Sequence, residues 1–322
     1  MRFVLALASL KFTPVGLVLL GIASVAVYKF DHGATPWLAL PLFLLAINLI
    51  AAVATNGVFR KQMPLLVFHL ALIVLVILAA VGRLTYLKGN AEITEGAVFS
   101  GLKDVDAGPL HQGRIEDVAF INEGFDIEYM AGPILDRIAN RVRWRDASGA
   151  ERVAEIGHNM PLTLHGYRIY PTSNKGFAPV FAWRPASGNP MLAAVHLPSY
   201  PANASGQALA WRPAGAAEEL WVMLDIAETL IAEDKPSHLR LPANQKIVLR
   251  QGQERTEMQP GDTITLPDGQ LEYQGLRTWM GYRFYYDWTI PWMLAACAVG
   301  VLSLSWHFWR KFAATPWNRD NA

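Results

Sequence analysis

The sequence of 322 residues contains a single cysteine, Cys297. Without a second cysteine the chain has no internal disulfide and no Cys-x-x-Cys pair for thiol–disulfide exchange. The absence of Cys-x-x-Cys-His also excludes covalent haem of the c type. The chain further lacks a Walker loop, a Gly-x-Gly-x-x-Gly fingerprint and a recognisable Ser-His-Asp set. These absences exclude a thiol reductant and a covalent cytochrome c, and they leave no evident catalytic set.

Charged residues are also scarce, at 17% of the chain against 52% hydrophobic residues, and the mean hydropathy is +0.20. Crossing a bilayer as a helix takes about 20 apolar residues. Four runs approach or reach this length: residues 12–28, 36–55, 63–82 and 288–309. We therefore predict four transmembrane helices, three near the N-terminus and one near the C-terminus.

The segment between the third and fourth runs has the composition of an ordinary globular domain. Short β-branched, aromatic or alternating stretches at 125–129, 141–144, 166–170 and 246–249 predict strands separated by turns. Residues 218–233 fit an amphipathic helix, although a strand is nearly as compatible with them. The predicted fold class is thus an α+β membrane protein. Its parts are an interfacial helix and three spans (1–83), a β-rich domain (84–285), and a last span with a tail (286–322).

The distribution of charge gives an orientation for the predicted spans. Nine Lys and Arg residues lie outside residues 84–287. With four spans, seven of these nine lie on the same side of the membrane as the two termini. Because short cytoplasmic loops are enriched in Lys and Arg, both termini should be cytoplasmic and the large domain exported. Residues 84–287 hold 25 acidic and 19 basic residues. This acidic excess argues against a nucleic-acid partner.

His69 lies inside the third apolar run, with no charged residue from 62 to 82. An ionisable side chain within a membrane span is costly, and it marks a functional site by default. Neutral imidazole is a common ligand of haem iron. At 1.5 Å per residue His69 lies about 12 Å beyond Lys61, in the cytoplasmic half of the bilayer. The alternative is a histidine that only bonds to a neighbouring helix.

His307 is the other histidine within an apolar run and is a second candidate haem ligand. It precedes Arg310 by three residues, which puts it about 7 Å nearer to the cytoplasmic boundary than His69. The surrounding Trp306-His307-Phe308-Trp309 also fits an interfacial anchor. The five histidines between residues 84 and 287 show no metal-ligand spacing, and we expect a binding surface there, without a bond-making site.

Several segments, in this order, resemble the ResB family, the membrane component of the System II pathway of cytochrome c maturation. They are Leu7-Ala8-Ser9-Leu10-Lys11-Phe12, Phe68-His69-Leu70, Ile93-Thr94-Glu95-Gly96, Asn159-Met160-Pro161-Leu162, Gly166-Tyr167-Arg168-Ile169-Tyr170, and Gly275 to Tyr282 followed by Tyr286-Asp287. The likeness runs nearly from end to end, although the exported domain is shorter than in many relatives.

The resemblance implies a multi-pass protein of the bacterial inner membrane that takes up haem from the cytoplasmic side. His69 matches the family's membrane histidine, so it would be the axial ligand of non-covalent, transient haem b. The chain would act with a ResC-type partner that presents haem on the outer face. Outside, it would meet apocytochrome c and thiol-reducing factors. It would then be a non-catalytic subunit of a haem-ligation complex.

Two other interpretations remain open on the sequence alone. A b-type membrane cytochrome would use His69 and His307 together for electron transfer. A membrane-anchored docking scaffold would bind partners without haem and would tolerate the loss of His69.

Overall fold

The computed structural model describes residues 6–30 and 34–313, with the side chain of Arg60 excepted. Residues 1–5 of the predicted interfacial helix and residues 314–322 of the predicted tail lie outside this part. Contacts between Cα atoms divide the chain into two compact units. The first comprises Met1–Lys88, Val105–Gly113 and Tyr285–Ala322, and the second comprises Gly89–Asp104 and Arg114–Phe284.

The first unit contains the long helices. They are α1 (Phe12–Phe30), α2 (Ala39–Thr55), α4 (Met63–Thr85) and α5 (Ile290–Ala313), with a 3-10 turn at Thr35–Leu38 and a short helix α3 at Gly57–Lys61. Within the described residues, four helices are long and apolar enough to cross a membrane. They coincide with the four predicted runs. The segment between the second and third runs contains α3, in which the N–H of Val58 is capped by Asn56 Oδ1 (3.0 Å).

The strands follow in the middle of the chain, with a 3-10 turn at Ile115–Asp117 between β2 and β3. They are β1 (Leu87–Thr94), β2 (Lys103–Ala107), β3 (Ile121–Tyr129), β4 (Leu135–Arg145), β5 (Glu151–Ile156), β6 (Leu162–Leu164), β7 (Tyr167–Pro185), β8 (Met191–Ala194), β9 (Ala208–Trp211), β10 (Leu220–Ile226), β11 (Ser237–His238), β12 (Gln245–Gln251), β13 (Glu254–Met258), β14 (Thr263–Leu266) and β15 (Gly269–Tyr286). The predicted strand segments 125–129, 141–144 and 246–249 lie in strands, and 166–170 lies in β7 except for Gly166, which belongs to the preceding turn.

These strands form three sheets. The largest has the order β2-β1-β15-β7-β6, with β14 paired to β15 and β8 paired to β7. The other two have the orders β13-β12-β10-β9 and β11-β3-β4-β5, and their pairings are antiparallel. The α+β fold class is therefore confirmed.

The core of the second unit combines aromatic packing with a buried polar network. Asn122 and Asn140 are fully buried. Tyr282 Oη donates to Asn140 Oδ1 (2.7 Å), and Asn140 Nδ2 donates to Asn122 Oδ1 (2.8 Å). Asn122 Nδ2 in turn donates to Ile93 O (2.8 Å). Because buried polar groups are stable only when paired, this chain of bonds fixes the relative positions of strands β1, β3, β4 and β15.

The preferred helix at residues 218–233 was wrong. The segment begins with strand β10, which pairs with β9 and β12. Leu220, Val222 and Leu224 are buried and alternate with partly exposed residues. This period of two matches a strand with one face in the core. The spacing of Trp221, Leu224, Glu228 and Ile231 had suggested a period of 3.6 instead.

Candidate functional site

His69 lies in the second turn of α4, on a helix that begins at Met63 with Pro64 in its first turn. Its Nδ1 is 2.7 Å from the backbone oxygen of Leu65. A carbonyl oxygen can only accept, so Nδ1 must carry the proton and donate it. The other nitrogen, Nε2, then has a free lone pair, and within the described residues it has no hydrogen-bond partner. This tautomer, with Nδ1–H on a backbone carbonyl, is the arrangement that orients histidines for binding a metal through Nε2.

Two phenylalanines hold the ring of His69. The ring centroid of Phe59, in α3, lies 4.5 Å from that of His69, and the centroid of Phe68 lies 5.3 Å away at a right angle. His69 remains partly exposed beside them. The ring is therefore fixed by two neighbours but is still accessible. A ligand must be accessible in this way if the iron comes from outside the chain.

Helices α4 and α5 pack side by side in opposite directions. A Cβ placed on Gly300 would lie 3.7 Å from Ala71 Cβ, and one on Gly82 would lie 2.8 Å from Thr289 Oγ1. These neighbours place His307 level with Pro64, and both residues line one cavity. His69 is five residues further along α4, or about 7.5 Å away along the helix axis. His69 is not among the residues that line the cavity.

The cavity lies where α4 begins and α5 ends. We call this end of the helix pair the basic end. The cavity has a volume of about 410 Å³ and is lined by Lys61, Gln62, Pro64, His307, Arg310 and Lys311. Three of these six side chains are cationic and none is acidic. The sequence predicted basic residues here, but it did not predict that they surround a cavity.

The opposite ends of α4 and α5 carry an ion pair, and we call them the clasp end. Arg83 Nη2 lies 3.3 Å from Asp287 Oδ2, and the Asp287 side chain is 11% exposed. Asp287 Oδ1 accepts bonds from Thr289 N (3.0 Å) and Thr289 Oγ1 (2.6 Å) just before α5 begins. One carboxylate thus binds the end of α4 and the residue that precedes α5. Sequence reasoning missed this pair, although both charges stood beside apolar runs.

A second missed residue is Asn48, which lies within α2 and is 8% exposed. Its Oδ1 accepts a bond from Thr13 Oγ1 (2.8 Å), and its Nδ2 donates to Leu7 O (2.6 Å) and Ser9 O (3.2 Å). The amide therefore fastens α1 and the segment before it to α2. The sequence did contain a signal for this residue, because Asn48 is a polar amide inside an apolar run.

In the second unit, His196 is held in a network with Glu92 and Thr94. Its Nδ1 is 3.3 Å from Glu92 Oε2, its Nε2 is 2.8 Å from Thr94 Oγ1, and its ring stacks on Trp279 at 5.2 Å. The hydrogen bond from His196, helped by Lys103, lowers the pKa of Glu92 to about 2, against the opposing effect of burial. Because Thr94 is 7% exposed, these bonds orient His196 and do not present an accessible nucleophile.

One cluster in the second unit has ligand atoms close enough for a metal ion: Asp126, Glu128 and His238, all within 4.8 Å of one another. Arg137 already forms ion pairs there, at 3.7 Å to Asp126 and 3.3 Å to Glu128. A metal ion would have to displace this guanidinium. We therefore regard the cluster as an ion-pair network on the surface.

Two of the segments that carried the resemblance meet in the second unit. Glu95 N donates to Thr278 O (2.8 Å), and Thr278 Oγ1 donates to Glu95 Oε2 (2.6 Å). Arg277 Nη1 also donates to Glu95 O (3.1 Å). Gly96 adopts φ +80°, where a Cβ would lie 3.0 Å from the Arg277 guanidinium, so the position favours glycine. The two motifs are thus one structural unit, although they lie far apart in sequence.

Comparison with known proteins gives one family. Residues 48–311, most of the chain, match the model of a family described as the ResB-like family. A search among curated proteins found no match.

Proposed function

The chain belongs to the ResB-like family, and from this premise we propose that it takes up haem inside the membrane during cytochrome c maturation. Family membership and the four apolar helices fit a membrane protein of cytochrome c biogenesis. The finer proposal is that His69 Nε2 is an axial ligand of the haem iron. The observation that carries it is the bond from His69 Nδ1–H to Leu65 O, which leaves Nε2 free to bind.

The residues around His69 suit such a ligand. A neutral imidazole is far less costly to bury than a charged group, and iron would satisfy its remaining nitrogen. Phe59 and Phe68 restrict the rotation of the ring, so little side-chain entropy would be lost on binding. These residues hold and orient haem, and the bond to apocytochrome c would be made with a partner.

We propose that the basic end faces the cytoplasm and that the second unit lies on the outer side of the bacterial inner membrane. Lys61, Arg310 and Lys311 at the basic end support this orientation, because cytoplasmic loops are enriched in cations. Haem would then be captured on the side where it is made. A ResC-type partner would present it outside, where thiol-reducing factors keep the cysteines of apocytochrome c available.

A bis-histidine cytochrome is less compatible with the geometry. Two axial ligands bind one iron from opposite faces of the haem, so both histidine rings must reach the same atom. His307 lies about 7.5 Å from His69 along the axis of α4, in a polar cavity at the helix ends. We therefore assign His69 alone as this chain's ligand.

The test is the haem spectrum of the purified full chain, with His69→Ala compared with wild type. Removing only an outer hydrogen-bond partner of a metal ligand costs about 10–100-fold in affinity, so loss of the ligand itself should cost more. Mature c-type cytochromes should be lost in cells carrying the same variant. The matched control is His158→Ala, which removes an exposed histidine of the second unit. Wild-type haem content and cytochrome levels in His69→Ala would refute the proposal.

A further inference from the structure

The basic cavity has features that its orientation in a membrane does not explain. Cations near the end of α5 are expected, because they compensate the helix dipole and follow the enrichment of cytoplasmic ends. Neither effect requires them to surround an open space of about 410 Å³. Within the described residues, no ion pair involves Lys61 or Arg310. Among the residues that the structure describes, these two charges at the cavity thus have no counterion.

The start of α4 has backbone N–H groups without a partner in the helix. Gln62 is the N-cap residue of this 23-residue helix, and its side chain makes no capping bond. The first helical bond is from Leu66 N to Gln62 O (3.0 Å), so the N–H groups before it have no partner in the helix. Gln62 and Pro64 line the cavity beside residues from the end of α5, so the positive end of the α4 dipole and the negative end of the α5 dipole meet there and largely offset each other. The cations, a histidine donor and these N–H groups can together bind carboxylate or phosphate groups.

We propose that this cavity receives the propionate carboxylates of haem, an inference that rests on the proposed role of His69. The short helix α3 links the two sites: Phe59 packs on the ring of His69, and Lys61 lines the cavity. His69 is about 7.5 Å further along α4 than Pro64. The propionates project from one edge of the macrocycle, several ångströms from the iron. With the iron on His69, the proposal places the carboxylates against Lys61 and Arg310.

The proposal gives His307 a role other than binding iron. From its position in the cavity, a ring nitrogen of His307 can donate a hydrogen bond to a propionate. Arg310 can bind a carboxylate with two parallel N–H groups, whereas Lys61 acts as a point charge. His69 thus selects the iron, and the cavity selects the acidic edge of the same molecule.

The test compares haemin with haemin dimethyl ester, which has the same iron but no carboxylates. The full chain in a zwitterionic detergent is titrated with each, and two signals are followed. A shift of the Soret band reports ligation of the iron, and quenching of tryptophan fluorescence reports binding by either route. If each of two charged contacts contributes about tenfold, wild type should prefer haemin by about 100-fold.

The double variant Lys61→Gln, Arg310→Gln should lose this preference. It should bind haemin as weakly as wild type binds the ester. The control Lys29→Gln removes a cation from the last turn of α1, which does not line the cavity, and should keep the preference. His69→Ala should abolish the Soret shift for both compounds while haemin still quenches fluorescence more strongly than the ester. This result separates the two sites.

Two results would overturn the proposal. One is an unchanged preference for haemin in the double variant. The other is equal binding of the two compounds by wild type. Loss of bound phosphatidylglycerol in the double variant would then identify the cavity as a site for lipid phosphates, which basic pockets between helices also bind. A wild-type preference without any Soret shift would instead contradict the role of His69 and leave the carboxylate site standing.

Discussion

The two ends of the α4–α5 pair use charge in opposite ways. At the clasp end, Arg83 meets Asp287 at 3.3 Å, and Asp287 also binds Thr289, so the charges are paired within the chain. At the basic end, Lys61 and Arg310 line a cavity with no acidic residue among its walls. Paired charges hold helices together, whereas converging like charges repel unless an external anion joins them. The clasp end is thus built for stability and the basic end for binding.

The first and largest expected effect comes from breaking the clasp end. Asp287→Ala would leave Arg83 without its partner and the N–H and hydroxyl of Thr289 without their acceptor, which should lower the free energy of unfolding by about 3 kcal/mol. Unfolding in detergent, followed by circular dichroism against denaturant, measures this change. The preference for haemin should stay as in wild type, because the basic end is untouched.

The control for this variant is Asp126→Ala, which removes an exposed carboxylate from an ion pair with Arg137. Exposed pairs contribute about 0–1 kcal/mol, so its effect should be small. Equal stability of Asp287→Ala and wild type would show that the ion pair does not hold the helices together. A loss of haemin preference in the folded variant would show that the two ends are coupled.

A smaller effect is expected from two glycines on the same helix pair. Gly82→Ala would place a Cβ 2.8 Å from Thr289 Oγ1, whose hydroxyl is fixed on Asp287. Relieving this overlap should cost about 1–3 kcal/mol. Gly300→Ala meets Ala71 Cβ at 3.7 Å, an ordinary contact, and should be neutral or stabilising by up to about 1 kcal/mol. The same unfolding experiment compares them, and a reversed order would contradict this account of the clasp end.

The local features of the fold were predictable from the sequence because they depend on composition and short periodicity. Apolar runs of membrane length became α1, α2, α4 and α5, and β-branched or aromatic stretches became strands. Residues 218–233 were ambiguous because their apolar positions satisfy both periods. Pairing of β10 with β9 and β12 makes the start of this segment a strand. Such pairing with distant residues cannot be predicted from the sequence of the segment alone.

The candidate site was predictable only in part for the same reason. His69 stood out as an ionisable residue in an apolar run, but its tautomer depends on Leu65 O, which only the structure shows. The cations of the basic end were visible, but the cavity depends on how α3, α4 and α5 meet. The pairing of Arg83 with Asp287 joins residues about 200 positions apart. Long-range contacts of this kind define the sites, and neither composition nor periodicity encodes them locally.

The last expected effect, which is absent at neutral pH, is an alkaline loss of stability at the clasp end. Tyr86, just after α4, is 2% exposed and donates to Asp106 Oδ1 at 2.6 Å. Burial, followed by this hydrogen bond, raises the pKa of Tyr86 from 10.0 to about 12. Because the folded-state pKa lies above the unfolded one, this contribution to stability is complete below pH 10 and is lost as the pH rises to about 12.

Tyr86→Phe should therefore reduce the fall in the free energy of unfolding between pH 10 and pH 12, while other buried tyrosines keep part of it. Asp106→Asn removes the negative charge that helps to raise the pKa and should give an intermediate slope. Unfolding curves at a series of pH values measure both. Parallel curves for wild type and Tyr86→Phe across this window would mean that Tyr86 ionises as readily in the folded chain as in the unfolded one. In that case the hydrogen bond from Tyr86 to Asp106 would not stabilise the clasp end.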